Sequence, residues 1–179
     1  MKNIYLIRHA KAEGQPFSAP LTKEGREQAE ALVDFFEEKD IDCIFSSPYL
    51  RTLETIRPLA LKRGIDITED ERLSERVLSG EDLPDWKEKL EHSFIDFSFV
   101  LPGGESSQAA YERAASMLEE ILDSPEENIV IVSHGNLTTL LLRYFDGRFG
   151  FQELMELTNP DVYHIQYDGE EGEVKRIWE

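Results

Sequence analysis

The chain is short of cations, of cysteine and of long apolar runs. Its 179 residues hold 19 lysines and arginines against 37 aspartates and glutamates, a formal charge of −18. That balance argues against nucleic acid as a bulk partner, because neutralising a polyanion needs a basic stripe. An anionic membrane surface is disfavoured for the same reason, and the surplus predicts a soluble, self-repelling particle. Cys43 is the single cysteine, so an internal disulfide is excluded and a reducing compartment is expected. Its setting, Asp42-Cys43-Ile44-Phe45, reads as a small buried hydrophobe rather than a nucleophile. The run Ile4-Tyr5-Leu6-Ile7, preceded by the lone cation Lys2, is too short for a secretory signal, and nothing approaches a membrane span. A cytoplasmic location is expected. There is no Gly-x-x-x-x-Gly-Lys phosphate loop, no Gly-x-Ser-x-Gly elbow and no metal-ligand spacing of His, Cys and Asp. Gly103-Gly104 reads as a turn.

Apolar residues make up 40% of the chain, enough for a core, and the length suits one domain. Short apolar runs alternate with longer helical patterns. Asn3–Ile7 and Ile41–Ser46 read as strands, Ile65–Thr68 as a short third, and Asn128–Ser133 as a fully apolar fourth. Thr22 is an N-cap for a helix to about Lys39, with Ala29, Leu32, Val33 and Phe36 on one face. Ser47 reads as a cap and Pro48 as the first residue of a helix disturbed near Pro58. Further helices are expected over Ser107–Leu122 and from Gly135-Asn136 through Phe145, and a terminal hairpin over Val162–Tyr167 and Val174–Trp178. A helical or loop excursion spans about 80–104; Phe94, Phe97 and Phe99 are more readily its own small core than a ligand pocket. The expected fold is an α/β three-layer sandwich, a mostly parallel sheet with helices on both faces and an antiparallel C-terminal edge.

Ligands in such folds gather at the carboxyl ends of the strands. Strand one ends in Arg8-His9, strand two in Ser46-Ser47-Pro48 with Arg51 one turn on, and the 128–133 strand in His134-Gly135-Asn136. Each residue alone has a plain structural reading. Together, two arginines and two histidines at three strand ends of an acidic chain point to an anion. A phosphate ester fits, with a neutral imidazole as nucleophile, arginines around the equatorial oxygens that also depress the imidazole pKa, and a carboxyl group as acid. The carboxyl is not singled out by position: Glu13, Glu54, Asp70, Glu71, Glu75 and Glu105 all lie near predicted strand ends. His92 and His164 read as structural. Lys11 has two readings, pocket mouth or solvated surface.

The ordered blocks resemble the histidine phosphatase superfamily, also called phosphoglycerate mutase-like. They are Leu6-Ile7-Arg8-His9-Ala10, Leu21-Thr22 with Gly25, Gln28 and Ala29, Ser46-Ser47-Pro48 through Arg51 and Thr55, Arg72-Leu73-Ser74-Glu75, Pro102–Ser106 and Val132-Ser133-His134-Gly135. The resemblance implies His9 as the nucleophile that becomes phosphohistidine, Glu75 as proton donor, and Arg8, Arg51 and His134 as phosphate ligands. It implies no metal or organic cofactor, and a small phosphorylated substrate. Two positions depart from the pattern: Ala12 stands where many members carry Thr, and Pro16, roughly, where many carry Asn. Lys11 or Asn136 is then a candidate substitute ligand. The expected activity is metal-independent hydrolysis of a phosphomonoester. The alternatives are a phosphohistidine-protein phosphatase and a phosphate-binding regulatory protein with weak turnover; the larger glycolytic mutases are a poorer match to so short a chain.

Overall fold

The computed structural model describes residues 1–179. Its chain order is β1 (Lys2–Arg8), α1 (Lys23–Phe35), β2 (Cys43–Ser46), α2 (Leu50–Arg63), β3 (Ile67–Glu69), a 3-10 turn (Glu71–Leu73), α3 (Trp86–Ile95), α4 (Ser107–Asp123), β4 (Asn128–Ser133), α5 (Gly135–Phe145), α6 (Phe151–Glu156), β5 (Asp161–Tyr167) and β6 (Gly172–Arg176). The sheet runs β3-β2-β4-β1-β5-β6. β3, β2, β4 and β1 are parallel, and β5 and β6 add the antiparallel edge, as expected.

The period of two along the central strands sorts their side chains into two cores. Ile4 and Leu6 of β1, with Ile129 and Ile131 of β4, pack under α4 and α5. Tyr5 and Ile7, with Val130 and Val132, pack on the other face against Leu32 and Phe36 from the α1 region and Ile56 and Leu59 of α2. Burial on both faces explains why these strands lack polar alternation.

Register carries this order to the strand ends. Arg8 pairs with Ser133, and Ser46 with Val132. The ladder then continues one bond further on each side: His9 N–H donates to Ser133 O at 3.1 Å and Ser47 N–H to Val132 O at 3.0 Å. His9, Ser47 and His134 are thus delivered side by side.

That extension displaces the expected start of α2. Ser47 does not cap, and Pro48 is not the first helical residue; the N-cap is Tyr49 and the helix begins at Leu50. Because Ser47 is still held in the ladder, the chain needs two more residues to turn. The first α2 N–H is satisfied inside the protein, Leu50 N–H donating to Phe17 O at 3.1 Å. Pro58 lies inside α2 without ending it. α1 stops at Phe35, short of Lys39. The 80–104 excursion contains α3, and its Phe94 and Phe97 pack against the α4/α5 core while Phe99 meets His92 edge-on. His164 stacks on Tyr5 and hydrogen-bonds Asn3 Oδ1, a structural role.

Candidate active site

His9 lies at the end of β1 and is 8% exposed. Its Nδ1 is 2.7 Å from the carbonyl of Ala10, so Nδ1 carries the proton and donates. Nε2 keeps its lone pair and accepts from Arg51 Nε at 3.3 Å. Burial pushes the imidazole down to about 4, with smaller contributions from Arg51 and Arg8. The arginines expected to keep this ring neutral are therefore secondary to the loss of water around it.

Arg51 is 2% exposed. Its Nη1 donates to the carbonyls of Gln15 at 2.8 Å and Pro16 at 3.1 Å, and its guanidinium stacks on Tyr49 at 4.8 Å. Pro16, offering no side-chain amide, contributes through its carbonyl, which fixes the guanidinium. Arg8 Nη1 donates to Leu157 O at 3.1 Å, while its buried Nε has no partner. The guanidinium presses on Gly135, where a Cβ would lie 3.0 Å from Arg8 Cζ, so glycine makes room for it.

His134 is fully buried and its ring centroid is 5.4 Å from that of His9. Nε2 is 2.8 Å from Ser47 Oγ, and Nδ1 is buried without a partner. Burial first, then His9, Arg51, Arg8 and Arg113, hold its pKa well below the usual histidine range. Glu75 reaches the N-terminus of α5. Its Oε2 accepts the Asn136 N–H at 3.1 Å, and its Oε1 accepts the Leu137 N–H at 3.0 Å and the Arg76 N–H at 2.9 Å. The five residues His9, Arg8, Arg51, His134 and Glu75 thus share one site.

Lys11 does not join them: it is exposed and ion-paired with Glu24 at 3.0 Å. Asn136 does reach the neighbouring cavity wall, with Oδ1 buried and unpartnered. Ala12 sits in an isolated bridge with Leu21. Of the other carboxylates, Glu105 holds Arg113, Asp70 holds Arg72, and Glu54 accepts the Leu21 N–H.

Several contributors carried no sequence signal for this role. Ser47 orients His134. Thr55 Oγ1 accepts the Ala10 N–H at 2.9 Å, and Asn159 Nδ2 donates to the His9 carbonyl at 3.0 Å, bracing the end of β1 from two sides. Arg113 Nη1 donates to the carbonyls of Arg72 at 2.7 Å and Ser74 at 2.9 Å, holding the segment before Glu75. Ser47 reads in the sequence as a helix cap and stands with Thr55 in a resembling block, neither of which gives these contacts, and Asn159 lies 150 residues from its partner.

Two histidines and two arginines at the carboxyl edge of a doubly wound sheet define an α/β anion-handling site. The chain belongs to the histidine phosphatase superfamily (branch 1), whose family model matches residues 4–179. Phosphoserine phosphatase 1 of Hydrogenobacter thermophilus is 27% identical over 150 residues, covering 75% of this chain and 71% of that one. A protein named probable phosphoglycerate mutase GpmB from Shigella dysenteriae serotype 1 is 31% identical over 187 residues, covering 93% and 86%. Among solved structures, Bacillus stearothermophilus YhfR superposes with a TM-score of 0.81 at 26% identity, covering 98% of this chain and 96% of that one.

Proposed function

We propose that the protein is a metal-independent phosphatase that hydrolyses a small phosphomonoester through a phosphohistidine on His9. The observation that carries this reading is the His9 ring: neutral, with Nδ1 tied to Ala10 O and the Nε2 lone pair presented beside Arg51. In the first step Nε2 attacks phosphorus in line with the ester oxygen. The N–P bond forms as the P–O bond breaks, and Glu75 gives its proton to the leaving alkoxide. The imidazolium so formed keeps its Nδ1–H on the Ala10 carbonyl. In the second step water attacks phosphorus, Glu75 takes the water proton, and the N–P bond breaks to release phosphate and neutral His9.

Arg8 and Arg51 offset the charge on the equatorial oxygens without a metal ion. Ser47 accepts the Tyr49 N–H at 3.3 Å, which directs its own hydroxyl proton to His134 Nε2. His134 Nδ1–H is then a buried donor suited to a phosphoryl oxygen. Relatives named for phosphoserine phosphatase activity support a small-molecule ester. The single sheet and the family match across 4–179 support one histidine-phosphatase-like domain, with 80–104 as its excursion. Burial pushes the half-buried Cys43 thiol up to about 11, which makes it unreactive, and a chain with a single cysteine suits a reducing cytoplasm. No helix is long and apolar enough to cross a membrane.

The test is to stop turnover by denaturing without acid and to search by mass spectrometry for an acid-labile phosphoryl adduct. It is expected on His9 and absent, with activity, in His9→Ala. Turnover retained by His9→Ala would defeat the assignment. Glu75→Gln is expected to slow alkyl phosphates by roughly 10²–10⁴, the range of general acid catalysis. An unchanged rate would favour a phosphoramidate substrate, as in a phosphohistidine-protein phosphatase.

A further inference from the structure

Of the five residues that meet at the site, four are carried by regular structure. Arg8 closes β1, His9 extends its ladder by one bond, Arg51 rides on α2 and His134 caps α5. Glu75 has neither ladder nor helix under it. The 3-10 turn ends at Leu73, and residues 75–79 are irregular. An acid that must meet a departing oxygen within hydrogen-bond reach needs its backbone fixed by other means.

Side chains and a chain crossing supply that frame. Before the acid, the carbonyls of Arg72 and Ser74 accept from Arg113 Nη1 at 2.7 and 2.9 Å, and Leu73 O between them accepts from Ser133 Oγ at 2.6 Å. After the acid, Arg76 Nε donates to the Glu105 carbonyl at 3.0 Å, and the Glu105 N–H donates to Val77 O at 2.7 Å. The crossing is close: a Cβ on Gly104 would lie 2.2 Å from Leu78 O. Both halves of the frame lead to Glu105. Its carboxylate grips Arg113 with two oxygens, Nε at 2.8 Å and Nη2 at 2.9 Å, which leaves Nη1 aimed at the two carbonyls. Glu105 thus holds residues 76 and 77 through its backbone, and residues 72 and 74 through Arg113. Neither side chain hydrogen-bonds the Glu75 carboxylate, whose oxygens accept from the N–H groups of Arg76, Asn136 and Leu137. A plain ion pair would account for Glu105 with Arg113, and the need to satisfy backbone carbonyls would account for Nη1. Neither accounts for the convergence of both on the residues that flank the acid.

We propose that Arg113, fixed by Glu105, is a positioning residue for proton transfer: the pair holds the backbone on both sides of Glu75 so that its carboxyl group meets the leaving oxygen. This rests on the phosphatase reading above, with Glu75 as the acid. Loss of the pair then costs rate only where the leaving group needs a proton.

Two aryl-bearing esters of similar size test it. Benzyl phosphate releases an alkoxide that must be protonated as it leaves; p-nitrophenyl phosphate releases a stable phenolate that need not be. kcat/KM is compared because it reports the steps through formation of the phosphohistidine and not its hydrolysis. In Arg113→Met and in Glu105→Gln the benzyl to p-nitrophenyl ratio is expected to fall roughly ten- to a hundredfold below wild type, the cost of a misplaced group. In a Glu75→Gln background, Arg113→Met is expected to leave benzyl phosphate kcat/KM nearly where Glu75→Gln alone puts it, since no acid is left to position. Glu105→Gln preserves side-chain size, so it carries the test should thermal unfolding show that Arg113→Met is not folded. An unchanged ratio overturns the proposal, whether both esters keep their rates or lose them equally, and so does a fully additive loss in the double variant. If Glu75→Gln itself leaves the ratio at its wild-type value, or the wild type hydrolyses neither ester, the reading underneath fails. A ratio lowered by Glu75→Gln but by neither Arg113→Met nor Glu105→Gln defeats the proposal alone.

Discussion

At His9 the strongest influence on the ring is the loss of water, and this has a consequence for stability as well as for attack. The folded pKa is about 4, below the ordinary 6.5. Between those values the unfolded chain binds the proton and the folded chain does not. The associated stability is therefore fully present above about pH 6.5 and is lost as pH falls through about 4. The shift corresponds to roughly 3 kcal/mol. Urea unfolding at pH 7 and pH 4 should show wild type losing that much more than His9→Asn, with His134 adding a loss of the same sign to both proteins. Equal losses would remove burial of a neutral ring as the cause. In the mechanism proposed above, the same depression keeps the Nε2 lone pair free for attack near neutrality, so a fall in turnover between pH 8 and pH 6 would have to come from another group.

At the scale of elements, the site is held by helix starts and strand ends. The loop after β1 returns to α1 through Thr22 and Gly25. Thr22 Oγ1 accepts the Gly25 N–H at 2.9 Å, an N-cap whose loss in Thr22→Ala is expected to cost about 1 kcal/mol. Gly25 faces the Lys11 carbonyl so closely that a Cβ would lie 2.1 Å from it. Gly25→Ala is expected to destabilise by more than Thr22→Ala, at least the ~1–3 kcal/mol of an overpacked site, because the obstacle is backbone. Thermal unfolding of the two variants checks the order. Thr22 as a cap was legible from its place before an amphipathic run. The start of α2 was not: Ser47-Pro48 is a good local start signal, but the ladder bond from Ser47 to Val132 outweighs it. α6 was missed because six residues are too few to display a period. The aromatic residues of the excursion are expected from the sequence to form its own small core; Phe94 and Phe97 pack instead against the main α4/α5 core, because the excursion folds back onto it.

At the scale of the molecule, a cationic cup sits in a particle of net charge −18. A folded chain of this length has a radius of gyration of about 16 Å. At 0.01 M ionic strength the screening length is about 30 Å, so an approaching phosphate dianion feels the whole negative surplus; at 0.15 M it is about 8 Å, and only the neighbourhood of the cup counts. The long-range term is screened strongly, and the cup's arginines, buried Arg51 and half-buried Arg8, weakly. kcat/KM is therefore expected to rise with inert salt over that range. A steep fall would mean that local attraction dominates at every distance.

The sequence by itself determined the layered α/β class, the strand ends and four of the five residues that converge, because burial on both faces and cation placement in an acidic chain are written in residue order. It supplied the fifth, Glu75, only by resemblance, among several carboxylates of equal local standing. Tertiary structure decided the rest: which carboxylate meets the N-terminus of α5, that Lys11 pairs outward with Glu24, and that Ser47, Asn159 and Arg76 border the site. The physical reason is that hydrophobic periodicity repeats along the chain and can be read locally. A hydrogen bond between residues as far apart as His9 and Asn159 exists only once the sheet register has brought their atoms within reach.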